Sequence, residues 1–198
     1  MPPCNHQRCR ARRKISAGSI PQRAEVIDPA SAAEKFQLSS GESLLEASRE
    51  RLLVLVFLRH FGCTFTRQIL RGLESLLENA KTHDAELVIV HMLGKGGENP
   101  YLGGNDGVAR ISDPHCDLYR AFGLGKGNFR ELLGLHVLWL AAVSIFKGCG
   151  VGHLAGDGRQ MPGAFLFRDG EIIASQRASS AADMPDLDAL FDSLSTSP

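Results

Sequence analysis

Cys63 stands where an apolar run gives way to a helical pattern, among residues able to act on its sulfur. The run Leu52-Leu53-Val54-Leu55-Val56-Phe57-Leu58 passes into Arg59-His60-Phe61-Gly62-Cys63-Thr64-Phe65-Thr66-Arg67. A cysteine at a helix start faces unpaired backbone N–H groups and the positive end of the helix dipole, and both favour thiolate over thiol. Free cysteine titrates at about 8.5, and such placement lowers that value. The thiolate is the nucleophile, so the chemistry on offer is attack on a peroxide or a disulfide. Arg59, His60 and Arg67 carry positive or titratable groups close by in sequence. The pattern alone does not say which of them points at the sulfur.

The elements that hold Cys63 can be read from periodicity. Seven apolar residues without alternation suit a strand covered on both faces. After Gly62, the residues Phe65, Ile69, Leu70, Leu73, Leu76, Leu77 and Ala80 recur at steps of three and four, which predicts one helix stripe. Thr64 or Thr66 can satisfy amides in its first turn. Leu87 to Met92 reads as a second buried strand, and the long crossover between the two implies a parallel pair.

Upstream, Phe36-Gln37-Leu38 and Ser43-Leu44-Leu45 read as two short strands around the turn Ser39 to Glu42. Downstream, the glycine-rich stretch Lys95 to Gly107 is expected to be a loop. It lacks the Gly-Lys-Ser/Thr ending of a phosphate cradle. Ser112 or Asp113 can cap a helix with Pro114 at its first position and Gly123 closing it after Phe122. Cys116 lies on that helix. Residues 129–147 are apolar on nearly all sides, which points to a flap or a dimer contact. Cys149 follows between Gly148 and Gly150. Ala164 to Phe167 and Glu171 to Gln176 are expected to pair around an Asp169-Gly170 turn. Met184 to Leu194 reads as a closing helix, with Leu187, Leu190, Phe191 and Leu194 on one face.

The turn Arg59-His60-Phe61-Gly62-Cys63-Thr64-Phe65-Thr66 resembles the active-site turn of the thioredoxin-like peroxiredoxin relatives, the AhpC/TSA antioxidant group. The likeness spans residues 34–194. Members often carry Cys-x-x-Cys here, whereas this chain has Cys-x-x-Thr. Typical peroxiredoxins carry Thr-x-x-Cys, the reverse order. The resemblance implies a thioredoxin-like α/β fold, a central mixed sheet with helices on both faces. It implies a thiol-dependent oxidoreductase in which Cys63 is the single nucleophile, Thr66 hydrogen-bonds the sulfur and Arg59 or Arg67 stabilises charge. An external thiol, small or thioredoxin-like, would resolve the intermediate, with Cys149 and Cys116 the internal candidates. Met161-Pro162 stands where this fold places a cis proline against the cysteine, so the Met161 backbone would pair with an incoming thiol substrate. A different reading makes the chain a redox-inactive thioredoxin-fold module that binds a protein through the segment near Trp139.

Composition is consistent with either reading. The 198 residues suffice for one domain with a sizeable core, placed here at residues 25–195. Residues 1–24 are polar and basic and are expected to form a disordered tail. The content of 43% hydrophobic and 22% charged residues is that of an ordinary globular chain. Formal charge is zero, so no global field argues for nucleic acid or an acidic membrane. Five irregularly spaced cysteines suit a reduced, cytoplasmic setting better than a disulfide framework. No cofactor, metal site or secretory leader is expected. Cys4, His6 and Cys9 crowd too closely for a zinc site without a second cluster. A homodimer through residues 129–147 is the expected self-association.

Overall fold

The computed structural model describes residues 28–103, 107–127, 156–179 and 185–195. The basic tail, residues 129–147 and Cys149 lie outside them. Five strands form one sheet: β1 (Leu52–Phe57), β2 (Ala85–His91), β3 (Ala109–Ser112), β4 (Gly163–Arg168) and β5 (Glu171–Arg177). Their order is β3-β2-β1-β4-β5, which puts β1 at the centre. β2 runs parallel to both β1 and β3. β4 runs antiparallel to both β1 and β5. The sheet is therefore mixed, as expected.

The missing alternation in β1 has a direct cause. Leu53, Leu55 and Phe57 enter one core, with helices α1 (Pro29–Ala33), α2 (Leu44–Glu50) and α6 (Asp117–Ala121). Val54 and Val56 enter the other, with α3 (Thr64–Arg71), α4 (Leu73–Thr82) and α7 (Leu187–Ser195). A strand buried on both faces has no polar side to show. The β4–β5 turn also follows expectation. Asp169 (φ 52°) and Gly170 (φ 80°) both take the left-handed backbone that a two-residue hairpin turn requires.

Four local expectations are corrected. Ser43-Leu44-Leu45 is not a strand. Ser43 and Glu46 form a reciprocal capping box that starts α2, leaving a single antiparallel bridge between Gln37 and Ser43. The stripe from Phe65 to Ala80 is two helices rather than one, separated at Gly72. Asn99–Leu102 forms a short helix, α5, within the predicted loop. Ala109–Ser112 is a strand, and the helix after it begins at Asp117, not at Pro114. Asp113 still supplies the cap. Its carboxylate accepts the N–H groups of Asp117, Leu118 and Tyr119 at 2.9, 2.9 and 3.2 Å.

Tyr119 carries this helix into the core and fixes the sheet end from which the Cys63 turn departs. Its hydroxyl lies 2.6 Å from Leu58 O and 3.0 Å from Val90 O, sharing one proton between β1 and β2. Replacing Tyr119 with Phe removes this donor from buried carbonyls. Urea unfolding of Tyr119→Phe should show a loss of about 1–2 kcal/mol.

Candidate active site

Cys63 is the N-cap of α3, with extended backbone (φ −72°, ψ 130°). Its N–H donates to His60 O at 2.9 Å, closing the turn after β1. Its carbonyl accepts the first intrahelical bond, from Arg67 N–H at 3.1 Å. The sulfur itself makes no capping hydrogen bond to the helix amides. Its polar contact comes instead from four residues earlier, where Arg59 Nη1 lies 3.1 Å from Sγ.

Both partners are buried, Cys63 and Arg59 each at 7% exposure. The other nitrogens of the guanidinium donate to backbone carbonyls across the site. Nη2 reaches Gly158 O at 2.6 Å, and Nε reaches Gln160 O at 3.3 Å. Among the described residues no carboxylate pairs with Arg59. A buried guanidinium without a carboxylate partner is costly, and an anionic sulfur would be its counter-charge.

Of the candidates named from sequence, one meets the sulfur and the others do not. Arg59, not Arg67, reaches the sulfur. Thr66 is 1% exposed and its hydroxyl has no hydrogen-bond partner, so the expected bond to the sulfur is not made. His60 is half-buried with Nδ1 unpartnered. Burial, and then the Arg59 charge, push His60 down to about 4 against an opposing pull from Asp157. At neutral pH it is uncharged and adds no positive field.

No peptide bond in the described residues is cis, so the Met161–Pro162 bond is trans, which corrects the expectation. The Met161 N–H donates to Gly125 O at 3.1 Å. Its carbonyl receives Gln160 Nε2 at 3.4 Å. Both groups are thus engaged within the chain. The pairing of residues 125–127 with 159–161 takes the place foreseen for substrate. Pro162 lines a cavity of about 340 Å³, together with Val56, Ile69, Gly163 and Pro185.

Cys116 is the other described cysteine. It sits in left-handed backbone (φ 57°) before α6, at 6% exposure. Burial, then Asp113 and Asp157, push its thiol up, away from the reactive anion. No group of three or more metal-ligating side chains occurs among the described residues. No helix among them is long and apolar enough to cross a membrane.

The partners of Arg59 were beyond sequence reasoning. Gly158 and Gln160 lie about a hundred positions downstream, and they contribute main-chain oxygens that any residue type would supply.

No family model matches the chain, and no curated protein matches it in sequence. Solved structures do. The bacterioferritin comigratory protein of Xanthomonas campestris, studied for alkyl peroxide reduction, aligns at TM-score 0.51 and 17% identity. The alignment covers 83% of this chain and 90% of that one. A PrxQ variant of Xylella fastidiosa aligns at 0.51 and 16% identity, over 81% and 84% of the two chains. Enterococcus faecalis AhpC aligns at 0.51 and 12% identity, over 77% of each. The likeness establishes the fold as the thioredoxin-like α/β fold of these proteins.

The His60 environment has a measurable consequence. Its folded value lies below the ordinary 6.5, so the unfolded chain takes up the proton first. Stability should therefore fall as pH drops from about 6.5 towards 4. Burial also holds His91 low, so it contributes in the same direction. Urea unfolding across that range should show a shallower acid-side loss for His60→Gln than for the parent chain.

Proposed function

We propose that the chain is a thiol peroxidase of the peroxiredoxin-like kind, with Cys63 as its single nucleophile and Arg59 as its charge partner. The observation that carries this reading is the 3.1 Å contact with Sγ, at a helix start, of a buried guanidinium that pairs with no carboxylate among the described residues. A cation so placed stabilises the sulfur as thiolate, the nucleophilic form. The peroxide-reducing neighbour from Xanthomonas campestris supports the same reaction class.

The thiolate attacks one oxygen of a hydroperoxide. An S–O bond forms as the O–O bond breaks, and the departing alkoxide takes a proton and leaves as an alcohol. The sulfur is oxidised to sulfenic acid. Arg59 can follow the negative charge from sulfur to the departing oxygen. The unpartnered Thr66 hydroxyl is a spare donor for a peroxide oxygen. An external thiol then attacks the sulfenic sulfur, releasing water and leaving a mixed disulfide. A second external thiol reduces that disulfide and restores Cys63. Cys116, buried and held protonated, is a poor resolving thiol, which leaves this step to the external reductant or to Cys149.

Peroxide consumption with a dithiol reductant tests the reading. Cys63→Ser should abolish turnover. Arg59→Met, which keeps the volume but loses the charge, should slow it by about 10–100-fold, the equivalent of a hydrogen bond to a charged group. A parent chain that consumes no hydroperoxide, or a Cys63→Ser variant that still does, overturns the proposal. The first of these outcomes would favour the binding-module reading.

A further inference from the structure

Gln160 makes more polar contacts than a loop residue needs. It is 1% exposed, and its amide nitrogen lies 3.1 Å from Leu124 O, 3.1 Å from Gly125 O and 3.4 Å from Met161 O. Two amide protons thus serve three carbonyls. They bind the segment before β4 to residues 124–125. On the same residue, the backbone oxygen accepts Nε of Arg59, and two positions earlier Gly158 O accepts Nη2. The turn carrying both carbonyls is closed by Gln160 N–H on Asp157 O at 3.2 Å and by Arg159 N–H on Asp157 Oδ1 at 2.9 Å. Lys126 anchors Asp157 from the facing segment at 2.7 Å.

This geometry sets where the guanidinium ends. A guanidinium presents its donors as a rigid planar fork, so two fixed acceptors on one side determine where the remaining edge points. Here that edge meets Sγ. An arginine side chain has several rotatable bonds, and without the carbonyl pair it would lose this orientation. We infer that Gln160 is a positioning residue: by locking the carbonyls of the 158–160 turn, it holds Arg59 against the sulfur and sets the reactivity of Cys63. The inference rests on the reading of Cys63 as a charge-partnered nucleophile. It extends that reading to a residue nearly a hundred positions away that never touches the sulfur.

The test is alkylation of Cys63 by iodoacetamide, followed by peptide mass spectrometry at about pH 7 and about pH 10, since a free thiol titrates near 8.5. Comparing the two rates separates the effects: lost access lowers both alike, whereas a lost charge partner lowers the near-neutral rate more. Gln160→Met keeps the length and removes the amide. Its rate near pH 7 should fall about tenfold, against a change of less than about threefold near pH 10. The double variant Arg59→Met with Gln160→Met should be no slower than Arg59→Met alone, because both changes remove one interaction. Unchanged labelling near pH 7 overturns the inference, and so does an equal fall at both pH values, which a merely structural role produces. If Gln160→Met does not fold, Lys126→Met, at a mostly exposed position, loosens the same turn. It should lower the near-neutral rate selectively, and no selective fall overturns the inference. Peroxide is absent throughout, so the result stands apart from whether the chain reduces peroxides.

Discussion

A buried positive charge that meets no carboxylate among the described residues organises this end of the molecule. Arg59 is buried, yet its partners among the described residues are two backbone carbonyls and one sulfur. Carbonyl dipoles solvate a guanidinium without neutralising it. Among the described residues, the side-chain atom that meets the guanidinium is the Cys63 sulfur. The fold supplies each part of the arrangement. β1 delivers Arg59 to the sheet end, the turn through His60 brings Cys63 back beside it, and the chain entering β4 supplies the carbonyls.

Stability and reactivity meet in the packing around that turn. Tyr119 fastens the ends of β1 and β2 just before Arg59, and Asp113 caps the helix that carries Tyr119. On the outer side of the turn, Phe61 is buried at 1% exposure and stacks on Tyr101, with ring centroids 4.4 Å apart. The residues between strand and helix are thus held from both sides. Side chains on such firmly packed flanking elements keep their geometry, as preorganised sites require.

The framework was legible in the sequence wherever a pattern had a single physical meaning. The unbroken apolar run had to be a doubly covered strand, and Asp169-Gly170 had to be a tight hairpin turn. Cys63 was legible as a helix start because the period changes there. The errors arose where local chemistry outweighed periodicity. Ser43 and Glu46 cap a helix in a stretch that looked like a strand, and Gly72 splits a stripe that continues unbroken in the sequence. The site was half legible. The candidate sulfur and the choice of arginines came from the turn itself, but selecting Arg59 required knowing that the chain returns at Gly158 and Gln160. The proline before β4 was read by likeness to a fold rather than from its own surroundings. The bond there is trans, and the Met161 N–H donates to Gly125 O.

The central claim is that one sulfur reacts before the others. Treating the reduced full-length chain with one equivalent of an organic hydroperoxide, trapping sulfenic acid with a dimedone probe and mapping the label by mass spectrometry tests it most directly. The account predicts that the first label falls on Cys63, with Cys116 unmodified. A first label on any other cysteine, or none on Cys63 while peroxide is consumed, would contradict it.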